Sequence, residues 1–107
     1  MSYMLNEFPC EASTEEYLVA RIKALGGKCL KFVSPGTAGV LDRLVLLPGG
    51  TVLFVEVKRL GELPSALQEK FMFGVLHLGT PALTVDSRQE VDELVQQLLS
   101  NGLVPCG

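Results

Sequence analysis

Along this chain short, wholly apolar runs alternate with stretches in which apolar residues recur every three or four positions. Leu18, Ile22 and Leu25 follow helical spacing, and Ser13-Thr14-Glu15-Glu16 ahead of them has the form of a capping box, with Ser13 as N-cap and Glu16 at the third helical position. The pattern predicts a first helix from about Thr14 to Leu25, closed by Gly26-Gly27. Residues 1–12 lack periodicity and include Pro9, so they read as a loose arm. Cys29 to Val33 predicts a short strand. Arg43–Leu47 and Val52–Val57 are rich in Val, Leu and Phe and flank Pro48-Gly49-Gly50, which reads as a hairpin turn. Both runs are apolar at consecutive positions, as in strands covered on both faces. Pro64 suits the first position of a second helix running to about Leu78 and ended by Gly79. Ala82–Val85 predicts a last strand, and Ser87-Arg88-Gln89-Glu90 a second capping box that opens a final helix to Ser100, stopped by Asn101-Gly102.

The predicted order is helix, three strands, helix, strand, helix. The strand-helix-strand step between the third and fourth strands needs a crossover, normally right-handed, within a mixed sheet. This is an α/β fold. At 107 residues it forms one domain, able to bury roughly 60 to 70% of its unfolded surface without staples. No repeat, low-complexity tract or linker divides it.

The hairpin carries the chemistry. If Leu47 pairs with Thr51 across the turn, Asp42 falls directly opposite Glu56, and opposed side chains sit roughly 4.5 to 5.5 Å apart. Two carboxylates at that distance are destabilising unless something cationic lies between them, and a divalent cation is the natural candidate. Lys58, two residues beyond Glu56, projects from the same face. Mg²⁺ and Mn²⁺ take oxygen ligands and are held by one or two carboxylates, water and substrate phosphate. The blander reading of both acids is a solvated sheet edge, which their apolar surroundings disfavour. For Lys58 it is an ion pair with Glu56 or Asp42 and no metal.

The constellation resembles the Asp...Glu-x-Lys signature of the PD-(D/E)XK nuclease superfamily. More specifically, Lys31-Phe32-Val33-Ser34-Pro35-Gly36-Thr37-Ala38-Gly39-Val40-Leu41-Asp42-Arg43, the run to Gly50, Phe54-Val55-Glu56-Val57-Lys58 and Gln68 are similar in order and spacing to a VRR-NUC domain, the virus-type replication-repair nuclease. The likeness extends from about Glu15 to Leu98. It implies a restriction-endonuclease-like core of order αβββαβα, a mixed central sheet flanked by helices, and metal-dependent cleavage of DNA. It also implies that the Val57 carbonyl supports the metal bound by Asp42 and Glu56. Leu41 stands where the family has Pro, and without a fixed φ the approach to Asp42 is expected to be less rigid.

The family's first helix carries a further glutamate. Glu15 shares a helical face with Leu18, Ile22 and Leu25, whereas Glu16 has the capping duty, so Glu15 is assigned to the site; solvation near a helix start is its alternative. Gln68 matches the family's glutamine, implied to contact the carboxylates, the attacking water or DNA; a surface glutamine is its alternative. Lys31 matches a family position and is a candidate phosphate contact, with a solvated lysine as the other reading. Gly36 and Gly39 could admit a phosphate backbone closely, and turn-making explains them equally well. Arg43 is taken as a DNA contact; for it and Arg59 a solvated charge stays open. His77, in the last turn of a helix, reads as a helix companion rather than a ligand.

Charge and composition refine this picture. The net charge of −3 argues against a general polyanion binder. Yet residues 17–59 hold seven bases and two acids, while residues 1–16 hold four acids and residues 60–107 hold six acids and two bases. The basic block contains the candidate site, as a local phosphate-binding surface requires. Three cysteines, Cys10, Cys29 and Cys106, share no metal-ligand spacing and read as free thiols of a reducing compartment. No leader or membrane-spanning run is recognisable, so a cytoplasmic location, in a bacterial or phage-infected cell, is expected. A hydrophobic content of 48% is high for so small a chain and points to apolar surface hidden in a homodimer. The resemblance likewise implies a homodimer acting on branched DNA such as a four-way junction. The competing reading is a non-catalytic nuclease-fold module that binds DNA or protein. A metabolic metal enzyme lacks any supporting pocket motif.

Overall fold

The computed structural model describes residues 11–104. Its elements are α1 (Glu11–Ala24), β1 (Lys28–Lys31), β2 (Arg43–Leu46), β3 (Val52–Val57), α2 (Ala66–His77), β4 (Ala82–Val85) and α3 (Arg88–Ser100). The four strands form one sheet in the order β1-β2-β3-β4. β1, β2 and β3 pair antiparallel, and β4 joins β3 parallel after the α2 crossover. The expected α/β class, element order and mixed sheet are all present.

Strand alternation divides the sheet into two faces. Val45, Leu47, Leu53, Val55 and Val57 turn to one side and are buried with Leu18 and Ile22 of α1 and Val91, Leu94 and Leu98 of α3. Each such side chain contributes about 1.5 to 3 kcal/mol by leaving water. Polar contacts also tie α1 to α3: the Tyr17 hydroxyl donates to Asp92 at 2.6 Å, and Arg21 pairs with the same carboxylate at 3.1 Å. On the other face Phe54 stands edge-on to Phe32 and to Phe71 of α2, with ring centroids 5.6 and 5.1 Å apart. This second face is only partly covered. Leu44, Leu46 and Phe54 are half-buried, and α2 itself has no buried residue.

Four sequence expectations about element ends need correction. α1 begins by Glu11, so Ser13 and Glu16 lie inside the helix and form no capping box; Ser13 Oγ instead accepts from Arg88 at 2.8 Å. Of the arm expected at residues 1–12, residues 1–10 lie outside the described residues, and Glu11 and Ala12 are helical. α2 starts after Ser65, not at Pro64. The Ser65 side chain accepts from the Gln68 N–H at 3.1 Å, and the Gln68 side chain accepts from the Ser65 N–H at 3.0 Å, a complete capping box. Before α3 the box is half formed, since Ser87 caps Glu90 N–H but Glu90 Oε1 accepts from Asp86 N–H.

The loop from Phe32 to Leu41 carries the chain across to the α2 side. Gly39 has φ +81°, and a Cβ there would lie 2.3 Å from the Leu67 carbonyl oxygen, so its role is to let α2 seat on the loop. Gly36 has no such constraint, with nothing within 4 Å of a Cβ. Gly39→Ala is therefore expected to cost about 2 to 4 kcal/mol, from left-handed strain plus a backbone clash. Gly36→Ala should stay within about 0.5 kcal/mol of the parent. Denaturant melts of the two variants check the contrast, and equal stabilities would remove Gly39 from its packing role.

Candidate active site

The β2–β3 register follows the expected pairing: Arg43 opposes Val55, Leu44 Phe54, Val45 Leu53 and Leu46 Val52. The turn is held by Leu47 N–H donating to Thr51 O at 2.9 Å and Gly50 N–H to Leu47 O at 3.1 Å. One step past the ladder, Asp42 stands beside Glu56, and the Asp42 backbone N–H donates to Glu56 Oε1 at 2.8 Å. Leu41 is fully buried, so packing anchors the approach to Asp42 at the position where the family has proline.

The peptide geometry of β3 points one more oxygen into this place. Phe54 N–H bonds to Pro81 O and Lys58 N–H to Val85 O, which turns the even-numbered residues toward β4. The Val57 carbonyl accordingly points toward β2, beyond the point where its ladder ends. Asp42, Glu56 and the Val57 carbonyl thus lie at one end of the sheet.

Electrostatics mark the spot as strained. Burial pushes the Glu56 carboxyl above its ordinary value; the Asp42 N–H bond and the Lys58 charge oppose this, while the charges of Asp42 and Glu11 add to it. Lys58 is only 9% exposed and shares the face of Asp42 and Glu56. Among the described residues it has no carboxylate within 4.0 Å, so the simple ion-pair reading does not hold. The Asp42 carboxylate is instead met by Lys31 Nζ at 3.1 Å, in a pair whose side chains are 64% and 39% exposed. Such a pair is worth little and easily exchanged.

The remaining expected site residues lie elsewhere. Glu15 is not brought to the cluster, because its Oε2 accepts from Arg43 Nε at 2.8 Å on the opposite sheet face. Arg43 is 14% exposed in that pair, which withdraws it from an open DNA surface. Gln68 is half-buried and spends its side-chain oxygen on the α2 cap. Gly39 is occupied by Leu67, and Gly36 alone remains in an open loop. Arg59 is exposed. Cys29 is a free thiol, raised above its ordinary value by burial, against the lowering charge of Arg43; Cys10 and Cys106 lie outside the described residues.

No family model matches the chain. Its sequence is 44% identical over 78 residues to "Putative nuclease p44" of Acyrthosiphon pisum secondary endosymbiont phage 1, covering 73% of this chain and 84% of that protein. The fold superposes on a solved structure described as "VRR_NUC domain" with a TM-score of 0.77 and 33% identity, over 80% of this chain and 94% of the other. The chain belongs to the VRR-NUC family. That membership and the phage relative support nuclease activity. Among the described residues of this VRR-NUC domain, no helix is long and apolar enough to cross a membrane.

Sequence reasoning gave no role to Glu11, which in this VRR-NUC domain is an exposed residue of the first turn of α1. Its charge acts on Glu56, and it extends the sheet-facing stripe of Ile22, Leu18 and Thr14, all fully buried. The signal was present, since Glu11 precedes Glu15 by four residues and Leu18 by seven. Among the described residues no group of three or more His, Cys, Asp or Glu side chains closes into a ready metal cage. A hard divalent ion does not need one, because water and phosphate oxygens complete its shell.

Proposed function

We propose that this VRR-NUC domain is a Mg²⁺- or Mn²⁺-dependent DNA endonuclease that acts as a homodimer on branched substrates such as four-way junctions. The observation that carries this reading is the placement of Asp42, Glu56 and the Val57 carbonyl at one sheet end, with buried Lys58 on the same face and, among the described residues, no carboxylate within 4.0 Å of it. The donor set fits the ion: all three ligands are oxygens, and a cation would relieve the burial and repulsion that lift the Glu56 carboxyl. When bound, the metal supplies Lewis-acid stabilisation of the phosphoryl oxygens and a more acidic water.

The chain's own residues do the rest. Asp42 and Glu56 would hold the ion, and the Asp42 N–H keeps the Glu56 carboxylate oriented. Lys58 stands where charge builds on the phosphate during attack. Its contribution is electrostatic and positional. Lys31 can leave the Asp42 carboxylate at small cost and take up a flanking phosphate. Glu11 takes the place in the site that sequence reasoning gave to Glu15. Gln68 keeps its side-chain amide N–H₂ for water or DNA while its oxygen caps α2.

Support for the dimer lies on the α2 side. Leu63, Leu67, Phe73, Leu76 and Leu78 are 48 to 81% exposed, although they flank or belong to a helix with an apolar composition. An isologous interface would cover them and give two sites related by two-fold symmetry, matching a junction that needs two cuts. Strand-labelled junction and linear duplex, each incubated with Mg²⁺, Mn²⁺ or chelator, test the reading alongside light scattering. Paired incisions on the junction by a dimer, lost with chelator, are expected. Tight binding without cleavage under all conditions would favour the non-catalytic module instead, and equal cutting of linear duplex by a monomer would remove the substrate assignment while leaving the metal site.

A further inference from the structure

Period-two alternation turns Arg43 to the sheet face opposite its neighbour Asp42. There Nε donates to Glu15 Oε2 at 2.8 Å, and Nη1 lies 3.4 Å from the Cys29 carbonyl oxygen. The paired side chains are 14% and 22% exposed, whereas those of Arg21 and Asp92 are 38% and 50% exposed. Solvent therefore screens the Glu15–Arg43 pair weakly, and removing one partner would leave a charge largely out of water.

This pair is the polar tie between α1 and the sheet. Among the described residues, the other side-chain hydrogen bonds from α1 to another element go to α3, from Tyr17 to Asp92 and from Arg88 to Ser13. Thr14, fully buried beside Glu15 in sequence, offers no substitute, because its hydroxyl has no partner among the described residues. Apolar contact alone lets a helix slide or rotate slightly, while a charged hydrogen bond fixes a point. The fixed point is one turn, about 6 Å along the axis, from Glu11. At its other end it is one residue from Asp42.

We infer that the Glu15–Arg43 ion pair is a positioning buckle for the nuclease site, clamping the first turns of α1 to the start of β2 so that Glu11, one turn before Glu15, is held toward Glu56. Glu15 and Arg43 touch neither metal nor DNA in this arrangement. The inference rests on the nuclease reading for its functional half, and its structural half stands independently.

The test uses Glu15→Gln and Arg43→Gln, the reversed pair Glu15→Arg with Arg43→Glu, and Glu11→Gln as reference. In metal-free protein, amide exchange over residues 14–19 should quicken about tenfold or more in either buckle variant, by local opening, and stay unchanged in α3. In cleavage assays with Mn²⁺, kcat should fall on the order of 10- to 100-fold with KM unchanged, as expected for displacement of a site group. Glu11→Gln added to Glu15→Gln should cost little more than either alone, and the reversed pair should recover part of the loss. Unchanged exchange in α1, losses that multiply in the double variant, or a raised KM with kcat intact would each overturn the buckle. Should the parent protein cut no DNA, the nuclease reading falls and the exchange measurement alone decides the buckle.

Discussion

Lys58→Met is expected to reduce cleavage of any DNA substrate by about 100- to 1,000-fold, the usual consequence of deleting one preorganised charge from a transition state, while folding and most DNA affinity survive. Methionine keeps the apolar stem of lysine, so the packing of a residue that is only 9% exposed is largely preserved. The backbone bond from residue 58 to Val85 O is untouched. What disappears is a cation within electrostatic reach of Glu56. The loss should therefore appear in kcat, with binding measured in Ca²⁺ close to the parent protein and a melting curve of the same steepness. Full turnover by purified Lys58→Met would sink the proposed mechanism, because the charge it assigns to the transition state would be gone. A protein that neither melts cooperatively nor binds DNA would show instead that Lys58 is a folding residue.

The placement of Lys58 shows why this part of the site was legible. Three local rules act on the hairpin and agree: the Gly49-Gly50 turn, where both residues have φ +93°, sets the register, alternation sets the faces, and apolar runs keep the strands inside. Asp42, Glu56 and Lys58 follow from those rules without knowledge of anything distant. α1 was harder. Ser13-Thr14-Glu15-Glu16 has the form of a helix start, but the same residues are compatible with a helix interior, and only the partner decides. Here Arg88, 75 residues away, takes the Ser13 hydroxyl. Starting the helix too late placed Glu11 in an arm and left Glu15 as the available acid.

Arg43, expected as a DNA contact or a solvated charge, is placed by period two on the face opposite Asp42. The ion pair with Glu15 spans 28 residues, and nothing in either segment alone announces it. Ser65-Ala66-Leu67-Gln68 was a readable capping box overshadowed by Pro64, whose preference for the first helical position is a weaker constraint than two reciprocal hydrogen bonds. The double duty of Gln68 follows from that misplacement. Gly39 needed the third dimension, because its glycine requirement comes from the Leu67 backbone of α2.

Glu56→Gln is expected to abolish cleavage, by about 100-fold or more where a metal ligand is lost, and at the same time to raise Tm at neutral pH. The Glu56 carboxyl is lifted above its ordinary value of 4.5, first by burial and then by the charges of Asp42 and Glu11. Between 4.5 and the lifted value the folded protein holds more of this proton than the unfolded chain does, so stability falls as pH rises through that window. Above it the ionised carboxylate weighs fully against the fold. Glutamine is uncharged, close in shape, and can still accept the Asp42 N–H through its side-chain oxygen, so the variant escapes the penalty. Its advantage in Tm should be greatest near pH 7 and shrink as pH falls toward 4.5. Divalent metal should reverse the order, since binding to the folded state stabilises the parent protein by mass action while the variant has lost a ligand. Melting curves across pH, with and without Mn²⁺, read both effects. A Glu56→Gln protein that melts below the parent at pH 7 without metal would show that Glu56 is held there by favourable contacts, and that the strain taken here as the mark of an ion site is absent.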